Sequence, residues 1–550
     1  MNENESPIHA ISVGLGTSTS TTPAGEKKER HPWVVLVCSD LGCTTTAPQR
    51  MSAATLNEFL STNQVIVSGN VLSELPGDIE PFHIDYRITD VKDFSPAAMA
   101  EKLPLLQELR KASGILDGIS RKRITAVEGF NQITSMQLPQ SIVRLLGEVR
   151  PSPDRTTTPS PGGSSSRVDS ILSMMDVGAA DATVVSAAPP PADFVAAFTE
   201  RAAGDVSSSA LLKCKEAVDR LVATMGETVA RQPFFRAAEA SWTAVKTLLK
   251  IAGRNRDVHI FIHSAPYDAA QRHFSDALSG CAASAGVPDI VIWDYPATVD
   301  TATMQQLEHI GDQADRYKTV AVVPLDYHDE LYKKIIDREP LNQVIGQAAF
   351  IPLRRLQERA AARCLALCAP DGTVVRGQSG REIAVAGSYL LVLQWLSSVI
   401  ELGSPFHLQN SSQQVLESFA FPRLSGEVVF DAHRCGVTVL RPGSTTVPRV
   451  LFGDAETPYG SMLFNLVVNR TARLAAGWIG MQDRTVSARQ AAPVLAEFLR
   501  TELEPYHILS APGAVSVTTE EEQSLQVTID SSETVAGFPV QFQFSFNYRE

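Results

Sequence analysis

Residues 258–323 read VHIFIHSAPYDAAQRHFSDALSGCAASAGVPDIVIWDYPATVDTATMQQLEHIGDQADRYKTVAVV, and this stretch decides the fold class. Three short apolar runs, Val258–Ile262, Ile290–Trp293 and Val320–Val323, are separated by segments of helix length. Apolar runs without alternation suit strands buried on both faces, and helices between them make a βαβαβ unit. Such a unit implies a parallel, doubly wound sheet, so the chain is read as α/β with mixed α+β additions. Immediately upstream lies a helical hairpin. Leu211, Cys214, Val218, Leu221, Met225 and Val229 recur in steps of three and four, as do Phe235, Ala238, Trp242, Val245 and Leu249. Pro233 separates the two helices and Gly253 closes the second.

Further toward the N-terminus, Trp33–Cys38 is another unbroken apolar run, and Phe82, Ile84, Tyr86 and Ile88 alternate with His83, Asp85 and Arg87. Asp93-Phe94-Ser95-Pro96 opens a helix, with Ser95 as N-cap and Pro96 at the first helical position. Pro104 falls inside the pattern Met99, Leu103, Leu106, Leu109 and predicts a kink or a restart. Toward the C-terminus, Leu463–Trp478 and Ala492–Leu503 read as helices. Val515 and Val517, then Leu525, Val527 and Ile529, then Val540, Phe542, Phe544, Phe546 and Tyr548 read as three alternating strands, with a turn at Gly537-Phe538-Pro539.

Composition divides the chain. Residues 1–30 are poor in apolar residues and read as a disordered arm. PSPDRTTTPSPGGSSS at 151–166 and APPPAD at Ala188–Asp193 are linkers. Between them, Val168, Ile171, Leu172 and Met175 make one apolar stripe along residues 167–177. A helix that short is marginal alone in water, so it reads as a segment waiting for a groove, in a partner or on its own domain. The expected regions are 1–30, 31–148, 149–195, 196–430 and 431–550.

A net charge of −13, from 48 basic and 61 acidic residues, argues against nucleic acid, which requires a basic stripe. The seven cysteines are odd in number, dispersed and mostly within apolar runs, the habit of free thiols in a reducing compartment. Cys364 and Cys368 have no second ligand pair at zinc spacing. The start, MNENESPIHAISVGLG, is unlike a signal peptide, and Ile383–Ile400 carries Ser388, Gln394, Ser397 and Ser398 with no basic flank. That run reads as a helix buried on all sides, and the protein as cytoplasmic and not inserted in a membrane.

Catalytic patterns are incomplete. The loop after the first strand, His263-Ser264-Ala265-Pro266-Tyr267, has no glycine to admit a pyrophosphate, and no G-x-x-x-x-G-K-[ST] occurs. Gly377-Gln378-Ser379-Gly380 falls one residue short of a nucleophile elbow. His259 and His263 lie on or just past a strand, where a spacing of four does not make a ligand pair, and Asp326 and His328 lack a nucleophile. Asp294, at the end of the middle strand, is the best single catalytic candidate; the alternative is a carboxylate capping its loop. No catalytic, cofactor or metal site is expected, and the chain is read as not an enzyme.

Three stretches resemble the contractile sheath of type VI secretion. Pro32–Val37 leading to Ser39-Asp40-Leu41-Gly42, with Phe82–Ile88, Asp93-Phe94-Ser95-Pro96 and Leu105–Arg110, is similar to the small sheath subunit. Pro233-Phe234-Phe235 with Glu239-Ala240-Ser241-Trp242, and Ile290–Tyr295 with its Asp-Tyr ending, are similar to the large one. Trp293 stands where that family has Gly, and Leu341–Gly460 matches weakly. The resemblance implies small and large subunits fused in one chain, polymerising into a helical tube around an inner-tube protein, docked on baseplate proteins and contracting to drive the tube through a membrane. It also implies strand exchange between subunits and an AAA+ unfoldase gripping a helix near the large subunit's start, the place of Val168, Ile171, Leu172 and Met175. Residues Val540, Phe542, Phe544, Phe546 and Tyr548 put large apolar groups on one face near the chain's end, and are expected to pair with a neighbouring subunit. The competing expectations are a strand in the chain's own sheet, and a static scaffold, a baseplate component or an α/β enzyme in place of a sheath.

Overall fold

The structure, a computed structural model, describes residues 31–71, 82–136, 138, 208–374, 377–406, 408, 417–441, 448–452, 457–482, 486–509, 513–520 and 524–548. The expected arm at 1–30 and the linkers with their helix at 167–177 lie outside the described residues. The early strands are β1 (Trp33–Ser39), β2 (Gln49–Met51), β3 (Ile66–Val71), β4 (Phe82–Arg87) and β5 (Val258–Ser264). Next come β6 (Ile290–Trp293), β7 (Val320–Pro324), β8 (Leu365–Ala369), β9 (Gly372–Val374) and β10 (Ile383–Val385). The last are β11 (Phe419–Ala420), β12 (Val437–Val439), β13 (Val515–Glu520), β14 (Ser524–Val535) and β15 (Phe538–Asn547).

The chain forms two compact units, one from the described residues of 1–65, 238–377 and 381–550, the other from those of 66–237 and 378–380. These boundaries differ from the composition-based ones. The run at 33–38 is not grouped with the described residues of 66–148: β1 lies inside the parallel sheet of the first unit, between β5 and β6. All seven residues of β1 are buried, and a strand apolar on both faces needs a neighbour on each edge. Its register with β5 runs from Trp33↔Val258 to Ser39↔Ser264.

The sheet order is β12-β8-β7-β6-β1-β5-β2, parallel except for the antiparallel edge strand β2. Among its parallel strands the first in sequence sits between the second and the third, a common doubly wound order, so the topological switch point lies between β1 and β6. The expected α/β architecture is therefore present. Helix α1 (Gly387–Leu402) packs on β6, β7 and β8 and is buried continuously from Gly387 to Val399, whereas Ile383–Val385, at the start of the apolar run expected to be helical, forms β10 with Ala384 exposed. No described helix is long and apolar enough to cross a membrane.

Helix α2 (Met462–Gly480) follows, and helix α3 (Ala488–Leu503) begins four residues before the expected Ala492, because Ser487 and Gln490 form a capping box. The antiparallel sheet β13-β14-β15 completes this unit. Ala536 and Gly537 take φ of 54° and 86°, so the hairpin turns one residue earlier than expected.

In the second unit β3 and β4 pair as an antiparallel hairpin. Ser95 caps the helix Pro96–Lys102 by accepting from the Ala98 N–H, and extended Leu103 lets Pro104 start a new helix that runs to Ser120, the restart that Pro104 predicted. That helix packs along Ser208–Arg231, where the Ser113 hydroxyl donates to Asp219 at 2.5 Å. Phe94 and Tyr86 ring Phe235 at 5.2 and 5.7 Å. Gly69 is required: a Cβ there would sit 2.6 Å from the Phe234 ring.

Candidate functional site

Sites in doubly wound proteins collect where strands end at the switch point, and the ends of β1 and β6 meet there. Asp294, the next residue after β6, accepts hydrogen bonds on one carboxyl oxygen from Ser39 at 2.7 Å and Ser241 at 2.9 Å. The buried Tyr389 hydroxyl of α1 faces the same carboxyl. Burial pushes the Asp294 carboxyl up to about 6, while these hydroxyls oppose the shift. Asp371, beyond β8, caps the start of α1 by accepting from the Gly387 N–H at 3.1 Å. Its carboxyl is pushed up to about 7 by burial, with Asp294 and Asp326 adding to the rise.

The loop after β1 spends its donors internally. The Leu41 N–H donates to the Ser264 hydroxyl at 3.1 Å, and that hydroxyl donates to the Cys43 carbonyl at 2.6 Å. The Thr45 N–H donates to the Ser264 carbonyl at 2.8 Å, and the Thr45 hydroxyl lies 3.2 Å from His263 Nδ1. A phosphate cradle needs several N–H groups turned outward together. This loop instead ties β1 to β5.

At the opposite end of the sheet the electrostatics reverse. Asp289, just before β6, is 1% exposed and receives the Val34 N–H at 2.9 Å, Arg470 at 2.9 Å and Arg473. The Arg470 guanidinium also lies 3.6 Å from the centre of the Trp33 ring. Trp33 in turn meets Trp395, Phe406 and Tyr506 edge-on at 5.2–5.9 Å. This cluster locks α2 under the sheet and is enclosed, so it holds structure.

The other sequence candidates do not converge. His259 and His263 lie four residues apart on β5, a separation of about 13 Å along a strand, too far to share a metal. The Asp326 carboxylate accepts the His328 N–H at 2.7 Å within its own turn, and the Gly377 N–H closes a turn on the Arg381 carbonyl at 2.7 Å. All seven cysteines are free, and no metal-holding group occurs among the described residues.

One constellation escaped the sequence reading. Ser68, His83 and Asp85 meet on the exposed face of the β3–β4 hairpin, with Ser68 Oγ 3.2 Å and Asp85 3.3 Å from His83 Nε2. Only the register Ser68↔Asp85 brings them together. In a nucleophilic triad the hydroxyl and the carboxylate bind opposite ring nitrogens. Here both use Nε2, and Nδ1 faces Asn70 at 3.0 Å. The group is a surface hydrogen-bond network.

The aromatic tail requires a correction. β15 pairs with β14 of the same chain, from Ser524↔Asn547 to Val535↔Phe538. Val540, Phe542, Phe544 and Phe546 are buried within the chain, and Phe542 meets Phe464 of α2 at 6.1 Å. Tyr548 follows the strand's end. The apolar face therefore has its cover at home, supplied by α2 and the neighbouring strands. What β15 leaves open is its outer edge, unpaired among the described residues. The stripe Val168, Ile171, Leu172 and Met175 lies outside the described residues. No protein-family model matches the chain, and no curated protein matches it in sequence.

Proposed function

We propose that this chain is a structural subunit of a contractile sheath, polymerising into a helical tube around an inner tube, docked on baseplate proteins, and contracting to drive the inner tube through a membrane. The observation that carries this reading is the outer edge of β15. The strand Phe538–Asn547 is ten residues long and contains no charged residue. A soluble monomer normally blunts such an edge with lysine, proline, a bulge or a cover, because it templates pairing with other chains; here Pro539 stands only at the strand's second position, leaving Val540–Asn547 without proline or charge. A polymer subunit uses it for strand addition. The switch point supports the same reading: its crevice is occupied by the protein's own Asp294, Ser39 and Ser241, which favours a structural role over turnover.

On this reading the protein works in the cytoplasm, and an AAA+ unfoldase that recycles the sheath would grip the segment at 167–177. The test is the pair Gln543→Lys and Ser545→Lys, which adds charge to the edge strand on the face away from the core. The variant is expected to keep the wild-type circular dichroism and melting curve while losing tubes in electron micrographs. Unchanged tubes would remove the edge from the account. Tubes of one invariant subunit spacing under all conditions would indicate a static scaffold.

A further inference from the structure

A cleft of about 570 Å³ opens beside the edge strand β2. Its lining includes the buried apolar residues Leu249, Ala252, Val258 and Ile260, the polar Ser52, Thr55 and Asn255, and the exposed Arg50 and Arg256. Both arginines are exposed, and neither forms an ion pair or a side-chain hydrogen bond among the described residues. His259 also lines the cleft, and its ring interacts with the Arg256 backbone. Burial and the charge of Arg50 hold this imidazole below its usual range, against the opposing pull of Asp257 and the Arg256 backbone, so the positive charge of the cleft at pH 7 comes from the two arginines.

Two unpaired guanidiniums beside buried apolar side chains form a combination found at the centre of interfaces, where arginine is enriched. Their planar forks match carboxylates in bidentate pairs. The chain itself carries a net charge of −13, so copies brought together repel unless local patches of opposite sign meet. We propose that this cleft seats an acidic segment of a second copy of the chain, with carboxylates on Arg50 and Arg256 and apolar side chains on the apolar part of the lining. The inference rests on the polymer reading and names one of its contacts.

The test is the charge reversal Arg50→Glu with Arg256→Glu, beside the milder Arg50→Gln with Arg256→Gln, each checked for a wild-type melting curve. The first readout is the protein concentration at which tubes appear, at low and high salt. The second is binding of a peptide of alternating glutamate and leucine, with a lysine–leucine peptide as control. The wild type is expected to bind the acidic peptide in a salt-sensitive way, and the reversal to weaken it by about tenfold or more and raise the tube threshold similarly. The glutamine pair should fall between. A tube threshold and salt response unchanged in both variants would overturn the cleft contact and leave the polymer reading standing. Arginine-dependent peptide binding by a wild type that never forms tubes would refute the polymer reading, and with it the second copy as occupant.

Discussion

Asp289 and Asp294 flank the same short strand and live under opposite electrostatics. Asp289 has two arginines as partners; Asp294 has hydroxyls. Removing one member of a buried ion cluster leaves uncompensated charge, so Asp289→Ala is expected to cost about 3–5 kcal/mol, read from chemical denaturation of the first unit. Asp294 behaves differently with pH. In the unfolded chain its carboxyl loses a proton near 4, whereas in the folded protein it does so at about 6. Between those values the folded state holds a proton that the unfolded state has released, so stability falls as pH rises through this window and stays lower above it. A two-unit rise corresponds to at most about 3 kcal/mol, and less here because Asp294 is only partly buried. Asp371 adds a loss of the same sign that extends to about pH 7. Buried His259, His263 and His433 lie below their usual range and act in the opposite sense, so the expected result is a difference: relative to the wild type, Asp294→Asn should lose a fall in stability between about pH 4 and 6, and an identical pH profile in the variant would remove Asp294 as its source. Strand-end logic singled out Asp294 from sequence. Its partners were not legible, because Ser39 and Ser241 lie 255 and 53 residues away.

Periodicity made most elements visible. The hairpin split at Pro233, the restart at Pro104, the buried helix from Gly387 and the last three strands all follow from apolar spacing and proline chemistry. Alternation in β15 marked one apolar face, but alternation cannot say whose surface covers that face. The structure covers it with the chain's own α2 and β14, so truncating the tail would damage the fold and is the wrong probe for assembly. Phe544→Asp is accordingly expected to unfold the C-terminal sheet, seen as loss of amide protection in β13 and β14. A well-folded Phe544→Asp protein would contradict the packing of this sheet. In the other unit Gly69→Ala should destabilise by roughly 1–3 kcal/mol through overpacking against Phe234, and Phe234→Leu should relieve part of that cost.

At the scale of the molecule, the sequence showed a parallel sheet but not its full membership. Reading outward from 258–323 gives contiguous strands, whereas β1 enters the sheet from more than two hundred residues upstream. Local patterns carry no information about such a pairing; only the demand of a two-faced apolar strand for two neighbours hints at it. The consequence for function is concrete. The first strand is built into the sheet formed by the later half, so β1 would move with that sheet in any lattice. Electron microscopy of the purified chain at rising concentration tests the proposed lattice most directly. Hollow helical tubes occurring in two subunit spacings are the expected result. Particles that remain monomeric at every concentration would contradict it.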